Sequence, residues 1–230
     1  MDNIEQLQKP SFVRPNKDDF YKKLIKDVQD NVLKDKSIQI RNIYKALFMV
    51  ALYYTFYGCL LYFGNNTSLL FLFYILMGFS MIVIFVNSFH DAAHNAVFFK
   101  EKHNRIFCYV LELFGSNSEI WIQRHLMLHH PYPNIQNWDC DIKQSDVVRI
   151  FPNAPWYKFH RYQHVYMWFL YPFYTLIWLF SRDFKDFFGT KDNYLKRVYK
   201  IPTIEYFKLF AAKIFNLFYE SFARPSVSFF

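Results

Sequence analysis

From Ala46 to Phe89 the chain has no Asp, Glu, Lys or Arg. A soluble globule is a poor fit to so long an uncharged run, and a membrane protein is a good one. Glycine is scarce, five in 230 residues, so the few present mark breaks rather than flexible tracts. The three cysteines, Cys59, Cys108 and Cys140, are widely scattered. They give neither a disulfide framework nor a zinc pattern, which fits a reducing compartment. The N-terminus stays polar for over forty residues, so no cleavable signal peptide is visible in it. A basic folded face is also missing. The net charge of +8 comes from residues that flank apolar segments, so the expected partner is anionic lipid or an acidic protein and not nucleic acid.

Apolar residues make up 53% and aromatic residues 23% of the chain, which reads as one compact unit. Ala46–Phe63 and Leu69–Val86 each supply eighteen largely apolar positions, near the roughly 20 needed to cross a bilayer core. Gly64-Asn65-Asn66-Thr67-Ser68 is the polar turn between them, so the two spans form a helical hairpin. Residues 1–45 carry ten Lys or Arg and the turn carries none, which places both ends of the hairpin on the cytoplasmic side. Within that segment, alternating charges predict a helix over Lys17–Lys34 with a solvated face. The expected fold is all-α: a polytopic membrane protein with a transmembrane hairpin and a cytoplasmic helical cap.

Five of the eight histidines fall in two compact clusters. His90-Asp91-Ala92-Ala93-His94 begins where the uncharged run stops, and His125-Leu126-Met127-Leu128-His129-His130 follows about thirty residues later. Residues four apart share a helix face, so His90 with His94, and His125 with His129, can each aim two imidazoles at one point. His130 adds a third, rotated to a neighbouring direction. Neither cluster holds a cysteine, and imidazole suits iron, zinc and copper, so a first-row metal held mainly by nitrogen is indicated. A zinc peptidase needs Glu directly after the first His, and the residue there is Asp91. Metal-bound histidines give their second N–H to a carboxylate or carbonyl, which makes Asp91, Asp139 and Asp141 supporting candidates. The alternative for these acids is an ordinary loop position.

HDAAH, WIQRHLMLHH, HPYPNIQNWDCDI and HRYQHVYMWFLY, in that order and spacing, resemble the membrane-bound fatty acid desaturases, most of all the bacterial linoleoyl-type, front-end branch. The likeness runs from about Phe12 to Phe188 and includes Trp121 and Asp139-Cys140-Asp141. It implies a pair of irons, oxygen as co-substrate, and dehydrogenation of a fatty acyl chain. It further implies that His90, His94, His125, His129 and His130 are iron ligands. The family's third box, Gln-x-x-His-His, does not occur before Phe230, so the resemblance implies a desaturase domain over 46–230 that is C-terminally truncated and inactive alone. No His-Pro-Gly-Gly haem motif is present, so the electron donor is expected to be a separate ferredoxin or cytochrome. Two alternatives stay open: a membrane hydroxylase of lipid or carotenoid with the same histidines, or an inactive fragment.

The remaining stretches are less distinctive. His103 has no partner at ligand spacing and reads as a surface residue. Ile106–Phe114 and Val165–Phe180 are short apolar runs, expected as interfacial or re-entrant helices, and a third span is expected to start near Ile204. His160 and His164 repeat the four-residue spacing. They are either further ligands, His164 above all, or interfacial histidines of a basic patch with Lys158 and Arg161. Pro131 and Pro133 are expected to stop the helix soon after His130.

Overall fold

The structure is a computed structural model, and it describes residues 9–12, 19–142, 145–189 and 194–222. Among the described residues every regular element is helical, with no strand. They gather into two compact units, each described by itself. One comprises residues 13–114 with 214–230, and the other residues 115–213 with the segment up to Phe12.

In the first unit, α1 (Asp19–Asn31) covers most of the helix predicted there, and none of its residues is buried. Lys17 and Asp18, where that helix was expected to start, lie outside the described residues. α2 (Lys36–Phe63) begins ten residues before the uncharged run, because the side chain of Asp35 caps it by accepting from Ser37 N–H at 2.9 Å. The Gly64–Ser68 turn contains a second cap: Asn66 Oδ1 accepts from Leu69 N–H at 3.1 Å and starts α3 (Thr67–Ile84). α3 runs on through a π-helical turn, Phe85–Phe89, into α4 (His90–Ala93). α2 and the continuous helix Thr67–Ala93 are the two that are long and apolar enough to cross a membrane among the described residues. At about 1.5 Å per residue, the 28 residues of α2 are longer than the roughly 30 Å of a bilayer core, and the charged residues lie in its first turns. α5 (Glu101–Cys108) and α6 (Val110–Leu113) follow, broken at Tyr109.

The second unit begins with α7 (Ser118–Arg124), which passes directly into a π-helical turn, His125–His129. The helix ends there, ahead of Pro131, as expected. A long loop leads through a 3-10 turn, Lys158–Tyr162, to α8 (Gln163–Ile177), which contains Pro172. A third π turn, Trp178–Arg182, joins α8 to α9 (Asp183–Phe188), and α10 (Tyr194–Val198) comes next. α11 (Thr203–Phe222), which belongs to this unit as far as Lys213, covers the stretch expected to begin a span. It carries Glu205, Lys208, Lys213 and Glu220. The core packs Ile120 and Leu128 with Tyr132, Trp138, Phe187, Leu195 and Leu209. Burying each large side chain contributes about 1.5–3 kcal/mol, and together they hold the loop around Trp138 against the helix that carries His125.

Candidate metal centre

The first histidine cluster sits at the end of Thr67–Ala93, the more apolar of the two long helices. The π turn before it is closed by a bond from His90 N–H to Phe85 C=O, and α4 resumes the ordinary helical register. The helix stops because Asn95 adopts φ 59°, a left-handed conformation that asparagine tolerates better than most residues. The rings of His90 and His94 lie 4.8 Å apart between centroids, as four-residue spacing predicts. His90 is half-buried and His94 exposed. Asp91 stands 3.7 Å from His90 Nδ1 and 3.4 Å from Lys45 Nζ, so it serves an ion pair with α2 as well as the histidine. Below, fully buried Asn104 accepts from Val97 and Phe98 N–H and donates to Phe98 C=O, which fixes the chain after the cluster.

The second cluster is built differently. Asn117 caps α7 by accepting from Ile120 N–H at 2.9 Å, and its own amide donates to buried Glu205 at 3.0 Å. The π turn then changes which histidines align. Residues five apart now share a face, so His130 N–H donates to His125 C=O at 3.0 Å. The Nε2 atoms of His125 and His130 face each other at 3.0 Å. Spacing alone pairs His125 with His129; the structure pairs it with His130. A separation of 3.0 Å suits adjacent ligand atoms on one first-row ion with metal–nitrogen bonds of about 2.0–2.1 Å. Trp121 stacks on His125, centroids 4.4 Å apart, and holds the ring in plane.

Two aspartates support this cluster from the following loop. Asn134 and Asn137, with φ 62° and 66°, turn the chain back so that Asp139 is buried beside His129. Asp139 accepts from Asn134 N–H at 2.8 Å and from Asp141 N–H at 2.9 Å, and meets His129 Nδ1 at 2.9 Å. Burial opposes its ionisation, but these hydrogen bonds outweigh burial and hold the carboxyl below its usual value. Asp139 is therefore an acceptor, the shared hydrogen sits on Nδ1, and Nε2 of His129 is left with its lone pair for a metal. Asp141 Oδ2 lies 3.8 Å from Nδ1 of both His125 and His129, and Oδ1 is 2.8 Å from Arg182. Burial again opposes the charge, yet His125 and the two guanidiniums of Arg182 and Arg124 keep this carboxyl well below the ordinary range. Ligand atoms of His125, His129 and Asp141 all lie within 4.8 Å of one another, a group that can hold a metal ion. Asp141 is thus close enough to be a ligand itself as well as a support.

With this geometry in view, the comparisons with known proteins decide the family. A family model described as fatty acid desaturase matches residues 66–225. The chain belongs to that family. It is 32% identical over 216 residues to the acyl-lipid (8-3)-desaturase of Physcomitrium patens, covering 91% of this chain and 44% of that protein. It is 30% identical over 149 residues to the sn-1 linoleoyl-lipid 6-desaturase of Arthrospira platensis, covering 61% of this chain and 39% of that one. The enzyme of the same name from Synechocystis sp. is 36% identical over 89 residues, 39% of this chain and 25% of that one. The chain spans less than half the length of these curated relatives. No solved structure matches it.

The residues of the second cluster fit an iron site of the kind this family uses: imidazole nitrogens, a carboxylate within reach, and no thiolate. Cys140 lies beside Asp141, but burial first of all pushes its thiol up to about 12, so it stays protonated and inert. His160 is not a ligand. Its Nε2 lies 2.8 Å from Asp146 C=O and its Nδ1 accepts from Tyr157 N–H at 3.1 Å, which leaves a buried imidazole engaged on both sides by backbone. That pair of bonds replaces both readings offered by the four-residue spacing. His164 is exposed at the start of α8 and joins no convergent group among the described residues. His103 is exposed, as expected. Arg124, Arg182 and Asp186 carry no sequence signal for the site, being 16 to 62 residues from their partners. Arg124 pairs with Asp186 and donates to Cys140 C=O at 2.9 Å.

Proposed function

We propose that the protein is a membrane fatty acid desaturase, using iron and oxygen to remove two hydrogens from an acyl chain in unsaturated fatty acid biosynthesis. The observation that carries this reading is the second histidine cluster, with His129 held by buried Asp139, in a chain of this family. His90 and His94 in one unit and His125, His129 and His130 in the other are the proposed iron ligands. His164 is a weaker addition, because the residues around it do not converge. Asp91, Asp139 and Asp141 support the ligands. Bound iron supplies the oxidising power that attack on an unactivated methylene requires and that no side chain has. The chain's own residues do the rest: Asp139 accepts the Nδ1 hydrogen of His129 and leaves its Nε2 for the metal, and aromatic-rich helices wall the acyl chain from water.

Residues 46–230 form the proposed desaturase domain, with α2 and the helix Thr67–Ala93 as spans and residues 1–45 as a cytoplasmic lead-in. The basic residues before α2 and the uncharged turn at Asn65–Asn66 support an orientation with both histidine clusters at the cytoplasmic surface. The proposed partners are a fatty acyl lipid or thioester, membrane lipid, and a separate electron-donor protein of ferredoxin or cytochrome type. The test is expression of the full-length protein carrying this sequence beside an electron donor, with gas chromatography of total fatty acids. A new unsaturated acid, lost on His94→Ala, is the expected result. A hydroxylated product in its place would assign oxygen insertion and overturn the desaturase reading.

A further inference from the structure

We propose that Arg182 is a positioning residue for the second histidine cluster: it fixes Asp141, and through Asp141 the ring of His125. The inference rests on the reading of His125 as an iron ligand. Arg182 Nη2 donates to Asp141 Oδ1 at 2.8 Å and lies 3.4 Å from Cys140 C=O. Arg124 Nη2 donates to the same carbonyl at 2.9 Å and is itself paired with Asp186. Two guanidiniums from separate helices therefore grip one two-residue turn, and that turn carries the acid.

The two oxygens of Asp141 have different duties. Oδ1 is taken by Arg182, which leaves Oδ2 as the atom turned toward His125 and His129, 3.8 Å from each Nδ1. Rotating the carboxylate by losing the guanidinium would turn Oδ2 away from the His125 and His129 rings and remove the charge that faces them. A planar fork of donors suits this task and a point charge does not. Arg182 is held in turn. It closes the π turn Trp178–Arg182, its guanidinium lies 5.5 Å over the Trp178 ring, and the next residues enter α9, whose Phe187 is in the core and whose Asp186 binds Arg124. A π turn at this point matches the one at His125–His129, and both set the side chains that meet at Asp141.

The test compares four variants of the full-length protein in membranes: Arg182→Gln, Arg182→Lys, His125→Ala and Lys213→Met. Lys213 pairs with Asp183 at 2.8 Å in the same unit, so its loss reports an ion pair without a role at the cluster. Iron retention against a chelator, the Mössbauer spectrum of bound iron, and the unfolding temperature are measured for each. Arg182→Gln should bind iron about 10–100-fold more weakly and change the spectrum, the range seen when a ligand's supporting partner is lost. Lys213→Met should unfold as easily yet keep both affinity and spectrum. Arg182→Lys should recover part of the affinity. Native affinity and spectrum in Arg182→Gln, with iron lost in His125→Ala, would overturn the positioning role alone. Equal iron loss in Arg182→Gln and Lys213→Met would reduce Arg182 to a structural pair. Unchanged iron in His125→Ala would remove the ligand reading on which the inference stands.

Discussion

The two histidine clusters share a spacing and differ in almost everything that holds it. His90 and His94 stand on a helix end, half-buried and exposed, with one acid nearby that is shared with Lys45. His125, His129 and His130 stand on a π turn backed by a core, a stacked Trp121, buried Asp139, and Asp141 gripped by Arg182. The first geometry follows from local helix periodicity and survives small changes around it. The second depends on side chains brought from far along the chain, and it should fail in more ways. A cluster set on a π turn and flanked by Asp139 and Asp141 takes its geometry from partners outside its own helix.

The comparison can be sharpened by removing one acid from each side. Asp139→Asn should weaken iron binding about 10–100-fold, measured by chelator competition, because His129 loses the acceptor that fixes its tautomer. An acid titration should give the next largest effect. Asp139 and Asp141 are held below ordinary carboxylate values, so the stabilisation they give is present above about pH 4 and disappears only as pH falls through their lower folded values. Trp121 and Trp138 fluorescence should therefore stay constant from neutral pH to about pH 4 and change below it. Asn137→Ala should cost about 1–2 kcal/mol in chemical denaturation, since φ 66° is a left-handed conformation that asparagine tolerates better than alanine, and Asn137→Gly should be near neutral. Asp91→Asn should be mildest. Its pair with Lys45 is partly exposed at 3.4 Å and it lies 3.7 Å from His90, so the loss should stay within about 1 kcal/mol and iron retention should fall less than in Asp139→Asn.

Much of the first unit could be read from residues alone, because lipid and helix periodicity impose simple patterns. The uncharged run indicated two apolar helices and the turn between them; the differences are at the start of α2, where Asp35 caps an earlier turn, and at the second helix, which runs from Thr67 to Ala93 rather than Leu69 to Val86. The second unit was legible as a cluster but not as a geometry. Three π turns, at Phe85, His125 and Trp178, have no sequence signature, and one of them moves the close histidine pair from four apart to five. His160 shows the reverse failure, since ligand-like spacing there places a buried ring between two backbone groups. The arginines that hold Asp141 are visible only when distant helices are packed together. Arg182 follows directly on the short apolar run Val165–Phe180 and Ser181, with nothing in the sequence to mark it, yet it pairs with Asp141.

Both histidine clusters are proposed to bind iron. Metal analysis of protein purified from membranes, native and with His94→Ala and His129→Ala, tests this most directly. Iron should be the bound metal in the native protein and should fall in each variant, further in His129→Ala. Zinc in place of iron, or native iron content in His129→Ala, would contradict it.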